Sequence, residues 1–355
     1  MSGLEQMRRE PIALPPNRIP RFYRGGRLMD AFRGAAEPAD DDRPEDWVGS
    51  ATRTWAPPGA PPSSLGPSPV VVGDETTDLA DLLARYPRAM AGDDVVDRAG
   101  ETLGVLVKLL DAGERLAVHC HPTREAAGRL LGSFFGKTEA WIILGTRNDE
   151  ARVWTGWQRH VDRDELRGWI ERQDSEAMLA ALREETVQAG DVLLIPAGTP
   201  HSVGAGVFLL ELQEPTDFSV VAETRGFPID PADASLGLGW DTALGFFDLA
   251  AAPDLRQEPR PVSDAVTSLL GDGADPFFRA LRMRISGEVG PPFEPAYAVG
   301  VVLAGGGSVA GPTSRLDLRP GATFALAAAA VPAARVVGDP ELDIVWCLGP
   351  DPAHL

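Results

Sequence analysis

Three of the five histidines stand in segments that could bring their side chains to one metal ion. Two of them, His119 and His121, are separated by a single residue in the segment 115–121, where apolar and polar residues alternate as in a half-buried strand. Side chains two residues apart on a strand project to the same face, about 6 to 7 Å from each other, which suits a shared metal ion. Taken alone, the pair could also be two core histidines without a metal.

The third histidine, His201, ends a segment whose turn residues have a distinctive spacing. Residues 190–201 read G-x5-P-x-G-x2-H, the spacing of the second cupin motif, and the stretch from Gly113 to the histidine pair fits the start of the first motif. The glycines and the proline would turn the chain and direct His201 into a barrel, opposite the pair. Three imidazoles and one carboxylate leave open positions for substrate or water, as in catalytic metal sites.

Two glutamates are candidates for the carboxylate ligand. Glu125 fits the motif spacing H-x-H-x3-E-x6-G without adjustment, but it follows Pro122 in a stretch that begins like a helix, with Thr123 as the candidate N-cap. A helix at that place would point Glu125 away from the barrel. Glu139 begins the next predicted strand, and we therefore favour Glu139 as the fourth ligand.

The composition favours many short strands joined by turns, because 38 glycines and 32 prolines interrupt regular structure. We expect a mainly β fold with inserted helices, in which a cupin or jelly-roll β-barrel over residues 1–235 holds the metal. We expect a second, smaller, β-barrel-like domain over residues 236–355, degenerate and cupin-like, without a metal because its only histidine is His354. Helices are expected to interrupt the first domain at about residues 74–100, 122–135 and 162–186.

The charge and the cysteines exclude several classes of function. A formal net charge of −19 disfavours nucleic acid or an anionic membrane as a partner, since both need a basic protein surface. No apolar run approaches the roughly 18 residues of a membrane span, and the N-terminus lacks a hydrophobic targeting stretch. The two cysteines imply no disulfide framework. We expect a cytoplasmic protein, as a monomer or a homodimer.

Several stretches of the sequence resemble class I mannose-6-phosphate isomerases. They are residues 107–122, residues 136–141, residues 190–201, the E-x-W-x-x-S element at residues 45–50, and residues 210–213. The resemblance covers roughly residues 14–230, and the remainder more loosely. It implies one zinc ion per chain, although other divalent metals also suit such ligands. The zinc ligands that it implies are His119, His121, Glu139 and His201.

The resemblance also implies that Lys108, Lys137 and Glu211 face a small sugar or sugar phosphate. Interconverting an aldose and a ketose moves a proton between C1 and C2 through an enediol, while an oxygen gains charge. A metal ion and cationic lysines would stabilise that oxygen, and Glu211 is our candidate base. From the residues alone, each of the three also has a purely structural interpretation: Lys108 as an edge-strand lysine, Lys137 as a turn residue and Glu211 as a rim carboxylate.

One position departs from the family pattern. The family places an arginine four residues after an aspartate that corresponds to Asp217, whereas this chain has Val221 there. Arg225 could reach the sugar instead, or it could be a surface arginine. Arg53 and the lysines are the candidates for binding a phosphate.

Three functions follow from these residues. The first is a metal-dependent aldose-ketose isomerase, with mannose 6-phosphate and fructose 6-phosphate as the leading pair. The second is a cupin oxygenase that uses iron or manganese, because three histidines and a glutamate also suit those metals. The third is a non-catalytic sugar-binding cupin. The lysines and the 136–139 segment favour the isomerase, since a simple oxygenase has no need of them.

Overall fold

The computed structural model describes residues 5, 7–57, 59–72 and 75–354, and it confirms a mainly β fold with inserted helices. The start of the first predicted helical insertion, at about residue 74, lies outside the described residues. The strands are β1 (Ile12–Ala13), β2 (Arg18–Ile19), β3 (Glu45–Val48), β4 (Pro69–Val72), β5 (Glu75–Asp78), β6 (Leu106–Asp111), β7 (His119–Cys120), β8 (Glu139–Thr146), β9 (Arg152–Trp157), β10 (Leu182–Thr186), β11 (Val192–Ile195), β12 (His201–Val203), β13 (Val207–Gln213), β14 (Val220–Val221), β15 (Arg260–Pro261), β16 (Val266–Ser268), β17 (Arg279–Val289), β18 (Ala298–Ala310), β19 (Arg315–Leu318), β20 (Thr323–Leu326) and β21 (Arg335–Leu348).

Short helices lie between the strands. They are α1 (Arg27–Phe32), α2 (Leu79–Arg85), α3 (Pro87–Ala91), α4 (Asp93–Ala99), α5 (Arg124–Leu131), α6 (Arg163–Arg172), α7 (Ser175–Ala181) and α8 (Trp240–Ala243). Helix α5 begins where the sequence predicts, because the Thr123 hydroxyl accepts a hydrogen bond from the backbone N–H of Ala126, and it ends at Gly132 in the left-handed region. None of the helices in the described part of the chain is long and apolar enough to cross a membrane.

The first half of the molecule contains two large sheets and a separate two-stranded sheet of β4 and β5. One large sheet has the strand order β10-β9-β12-β7-β14 and the other β11-β8-β13-β6-β3-β2. Helix α6 packs against the outer face of the first sheet. Val118 and Cys120, in and next to β7, belong to an apolar cluster with Leu166 and Trp169 of this helix. His119 lies between them in sequence and therefore projects to the opposite, inner face.

The second sheet alternates in the same way. Val107 and Leu109 of β6 belong to an apolar cluster that also contains Val299 and Val345 of the C-terminal strands. Lys108, between them, projects to the opposite side. Strand β6 is hydrogen-bonded to β13 on one side and to β3 on the other, so the edge-strand interpretation of Lys108 is wrong.

The C-terminal strands form a third sheet, with the order β1-β20-β18-β21-β17-β16-β15 and with β19 paired to β18. Strand β1, from the start of the chain, pairs with β20, so that Ile12 lies opposite Ala325. Residues 12 and 13 therefore belong to the sheet of the second half. The division at residues 235 and 236 stays a prediction, because one apolar cluster joins both halves.

Candidate metal centre

The three predicted histidines meet between the two N-terminal sheets. Strands β7 and β12 are antiparallel, and His201 lies directly opposite His119. The ring centroids of these two residues are 4.2 Å apart, and the ring of His121 lies 5.0 Å from that of His119 and 4.9 Å from that of His201. One ligand atom from each ring lies within 4.8 Å of the others, and all three residues are buried. This group can hold a metal ion.

Backbone carbonyls fix which ring nitrogen faces the centre. The Nδ1 atoms of His119, His121 and His201 lie 2.8, 2.8 and 2.9 Å from carbonyl oxygens of the chain. A carbonyl oxygen can only accept a hydrogen bond, so we infer that each Nδ1 carries the proton and each Nε2 keeps its lone pair. The Nε2 of His201 is buried and has no hydrogen-bond partner within the described part of the chain. A lone pair without a donor in a buried site fits a metal ligand.

Glu139 is the carboxylate beside the histidines. Its Oε1 lies 3.0 Å from Nε2 of His121, and its Oε2 lies 3.6 Å from Nε2 of His201. Lys137 contacts Oε1 at 3.0 Å, and the indole N–H of Trp141 donates to Oε2 at 3.3 Å. Glu125, in contrast, is exposed in the first turn of α5. The geometry therefore favours Glu139 over the residue that the motif spacing matches.

Burial and charge set these groups in the protonation states that a metal ion needs. Burial lowers the pKa of His119 well below its usual value, and burial with the nearby charge of Lys137 lowers the pKa of His121 to about 3. Burial also lowers the pKa of His201. Burial alone would raise the pKa of Glu139, but the charge of Lys137 and the contact with His121 hold it well below its usual range. The set is three neutral imidazoles and one carboxylate.

A cavity next to the histidines collects the remaining polar groups. It is small, and its lining includes His119 and Glu139. Lys108, Lys137 and Glu211 line it as well. A larger groove runs between residues 10–16 and residues 313–324, but it contains no histidine, so the chemistry and not the size identifies the candidate site.

Lys108 and Glu211 are neighbours on adjacent strands. They lie opposite each other in the β6–β13 ladder, with Nζ of Lys108 3.0 Å from Oε2 of Glu211 and 3.6 Å from Oε2 of Glu45. Burial lowers the pKa of Lys108, but Glu211 and Glu45 outweigh it and raise that pKa. Burial, followed by the charge of Glu139, raises the pKa of Glu211 to about 7. Burial alone would raise the pKa of Glu45, but the charges of Arg21 and Lys108 hold that pKa well below its usual range. Glu45 is therefore ionised, and its negative charge helps to keep Lys108 charged.

The structure does not bring Arg225 to this cavity. Its side chain is exposed and donates to the backbone oxygen of Arg172 at 2.9 Å, while its own backbone N–H donates to Gln173. The chain leaves β14 after Val221 and turns toward the end of α6, which carries Arg225 outward. Arg53 is also exposed, and its guanidinium donates to the backbone oxygen of Ser63 at 3.0 Å.

Four further ionisable residues line the cavity that are not among the site residues predicted from the sequence: Arg21, Tyr23, Glu45 and Asp217. The Tyr23 hydroxyl donates to Glu45 at 2.8 Å. Glu45 stands in the E-x-W-x-x-S element, and Asp217 corresponds to the aspartate of the family pattern, so these two positions carry a signal in the sequence. Arg21 and Asp217 are far apart in the chain and meet only in the fold, so no local pattern could indicate their contact.

No protein-family model matches the chain. "Mannose-6-phosphate isomerase ManA" of Bacillus subtilis (strain 168) is 33% identical over 118 residues, which are 33% of this chain and 36% of that protein. The chain thus spans about a third of the length of that relative. "Probable mannose-6-phosphate isomerase GmuF" of the same organism is 25% identical over 329 residues, 90% of this chain and 93% of that protein.

Solved structures of mannose-6-phosphate isomerases have the same fold as this chain. A mannose 6-phosphate isomerase from Bacillus subtilis superposes with a TM-score of 0.73 at 22% identity, over 95% of this chain and 99% of that one. A variant of the phosphomannose isomerase from Salmonella typhimurium gives a TM-score of 0.69 at 16% identity, over 95% and 99%. The expected cupin fold and the resemblance that the motifs indicate are confirmed.

Proposed function

We propose that this chain, a member of the mannose-6-phosphate isomerase family, is a metal-dependent isomerase that interconverts an aldose and its ketose. Mannose 6-phosphate and fructose 6-phosphate are the leading pair, since the relatives carry the name of that activity. One observation carries the proposal: three buried histidines and Glu139 converge beside a cavity that also holds two lysines and Glu211. The lysines and Glu211 favour an isomerase over an oxygenase, because proton transfer needs a base and a stabilised oxygen.

Zinc is the metal that we propose, held by His119, His121, His201 and Glu139. Neutral imidazoles and a carboxylate are the donors that zinc binds in catalytic sites, and they also suit iron and manganese. The buried, unpartnered Nε2 of His201 among the described residues supports a cation at this place. When bound, such an ion acts as a Lewis acid that polarises an oxygen of the sugar.

The residues of the chain would divide the remaining chemistry. Glu211 would take the proton from C2 of the aldose and return it to C1, and its pKa of about 7 keeps part of it ionised at neutral pH. Lys108 and Lys137 are buried ammonium groups that would stabilise the oxygen as it gains charge. Because both lysines are fixed by ion pairs, they need little reorganisation during the reaction.

We also propose that the enzyme acts in the cytoplasm on a free sugar or sugar phosphate. Both cysteines, Cys120 and Cys347, are buried and unpaired, which suits a reducing compartment. The assembly as monomer or homodimer stays a prediction.

A panel of aldoses and their 6-phosphates tests the function. The purified protein is incubated with each sugar in D₂O, with and without a chelator, and the products are followed by NMR. We expect mannose 6-phosphate to yield fructose 6-phosphate with deuterium at the exchanging carbon, and the chelator to abolish the reaction. Oxygen uptake with an iron-loaded protein would select the oxygenase, and tight sugar binding without exchange would select the sugar-binding cupin.

A further inference from the structure

Arg21 is the one arginine that lines the cavity within the described part of the chain. Its guanidinium is held on two sides. The Nε–H donates to Oε2 of Glu45 at 2.9 Å, and the terminal nitrogens donate to the two carboxylate oxygens of Asp217 at 3.2 and 3.0 Å. The ring of Trp47 lies against it, 5.1 Å from the guanidinium carbon. These contacts fix both the position and the plane of the group.

The guanidinium is left with donors to spare. A guanidinium has five N–H groups, and Glu45 and Asp217 accept three of them. The other two have no acceptor among the residues that the structure describes. The side chain is only 16% exposed, so bulk water is a limited substitute, and a buried donor without an acceptor costs free energy. The arrangement is complete when a ligand in the cavity supplies two oxygens.

The charge around Arg21 restricts what that ligand group is. Two carboxylates, Glu45 and Asp217, contact the guanidinium and compensate its charge, and Lys108 lies 3.6 Å from Glu45 as well. A guanidinium whose charge is already compensated favours neutral hydroxyl oxygens, which only need N–H donors, over a phosphate dianion. We propose that Arg21 is a substrate-binding residue that donates its two remaining N–H groups to neighbouring hydroxyl oxygens of the sugar. This inference rests on the proposed function and adds a specificity residue to it. Arg21 would bind hydroxyl groups of the sugar and not its phosphate.

A second, partly buried arginine–glutamate pair shows what a purely structural pair looks like. Arg115 donates to both oxygens of Glu223 at 2.7 and 2.6 Å, and its guanidinium lies 5.6 Å from the ring of Phe227. It also donates to the backbone oxygen of Leu116, and it does not line the cavity. Arg115 is therefore a matched control for Arg21, with the same kind of ion pair and no access to the sugar.

Val221 offers a way to move the guanidinium. It lines the same cavity, from strand β14, and brings no charge of its own. An arginine at position 221 in a chain that lacks Arg21 would present N–H donors to the same space. Recovery of activity in such a double variant cannot come from restored packing around residue 21.

The experiment compares wild type with Arg21→Gln, Arg21→Lys, the double variant Arg21→Gln/Val221→Arg and the control Arg115→Gln. For each, kcat and KM are measured with mannose and with mannose 6-phosphate, and the melting temperature is recorded. We expect Arg21→Gln to lower kcat/KM by about 100-fold for both sugars and Arg21→Lys by about 10-fold or more, since the lysine keeps the charge but not the fork of donors. The double variant should recover at least about tenfold, and Arg115→Gln should stay within about threefold of wild type.

Unchanged kcat and KM in Arg21→Gln, with only a lower melting temperature, would overturn the proposal. A loss confined to mannose 6-phosphate would also overturn it, because Arg21 would then hold the phosphate. If the wild type isomerises neither sugar, the proposed function is wrong, but the role of Arg21 in sugar binding can still be tested. The affinities of wild type and Arg21→Gln for mannose are then compared by calorimetry. Equal affinity of wild type and Arg21→Gln, or no binding at all, would then contradict the inference.

Discussion

The interiors of the two halves of the molecule differ in kind. The space between the two N-terminal sheets buries lysines, glutamates and histidines together, whereas the cluster behind the C-terminal sheet is apolar. The buried charged residue of the C-terminal strands, among those described, is Asp343, and it is paired with both Arg282 and Arg284. In the first half, the buried acidic and basic residues of the site are Glu45, Lys108, His119, His121, Lys137, Glu139, His201 and Glu211.

This difference supports the proposal that the first half performs the chemistry. Burying a charge costs several kcal/mol of folding free energy unless its partners compensate. A chain of this length can fold around apolar side chains alone, so its fold does not require these buried charges. On β6 and β13 the buried charges lie on one face of the sheet only. Lys108 and Glu211 face the cavity, while Val107 and Leu210, on the other face, pack with the C-terminal half. The second half therefore supplies the apolar support on which the charged face of these strands rests.

The largest expected effect is the loss of a histidine from the first half. His201→Ala should lower kcat/KM by at least about 10³-fold and reduce the bound metal, because a bound metal contributes several kcal/mol to stabilising the reacting oxygen. Metal analysis and kinetics measure both effects. The matched control is His160→Ala, at an exposed histidine beside Asp162, which should change neither. Full metal content and activity in His201→Ala would remove the proposed centre.

The next effect concerns the base. Glu211→Gln keeps the shape of the side chain but cannot take a proton, so kcat should fall by about 10²- to 10⁴-fold, with KM changed only a few-fold. Glu223→Gln, at a buried glutamate outside the cavity, serves as control and should keep kcat within about threefold of wild type. A Glu211→Gln protein with wild-type kcat would assign the proton transfer to another group.

A cavity in the second half should act on stability alone. Leu342 is fully buried in the C-terminal apolar cluster, and Leu342→Ala should lower the free energy of unfolding by about 2–5 kcal/mol. Denaturant unfolding measures this, and kcat below the transition should equal that of wild type. Val262→Ala, at an exposed valine, is the control. A large fall in kcat for Leu342→Ala in fully folded protein would mean that the division of labour between the halves is wrong.

The smallest effect is a pH dependence. Glu211 must be ionised to act as a base, and burial raises its pKa to about 7, so activity should fall as the pH drops through that region. A cation in the centre would lower this pKa, and the fall should then begin at or below pH 7. The expected slope of kcat/KM is about tenfold per pH unit on the acid side. A profile that stays flat to pH 5 in wild type would contradict the role of Glu211.

Local patterns predict the parts of the site that lie on one strand or one motif. The period of two on residues 115–121 places His119 and His121 on one face, and the start of a strand at residue 139 distinguishes Glu139 from the helical Glu125. Both follow from geometry within a few residues. Lys108 stands in a continuous apolar run without alternation, so the residues alone leave an edge-strand position open, and only the pairing of β6 with β3 and β13 excludes it.

Contacts between distant segments could not be predicted in this way. Arg21 reaches Asp217 across the fold, and nothing near either residue in the sequence indicates the pair. Arg225 was placed by its nearness to Val221 in sequence, but the turn after β14 carries it outward to Arg172. Strand β1 has only two residues, too few for any periodicity, so its pairing with β20 is also a product of the tertiary fold.

The most direct test of the central claim is a metal titration of stripped protein, followed by activity. Protein treated with a chelator is titrated with zinc, and bound metal and the rate of aldose-ketose interconversion are measured on the same samples. We predict that the rate rises in proportion to bound zinc, reaches its maximum at one ion per chain, and does not rise in His201→Ala. Full activity in protein with no bound metal, or zinc binding that leaves the rate unchanged, would contradict the account.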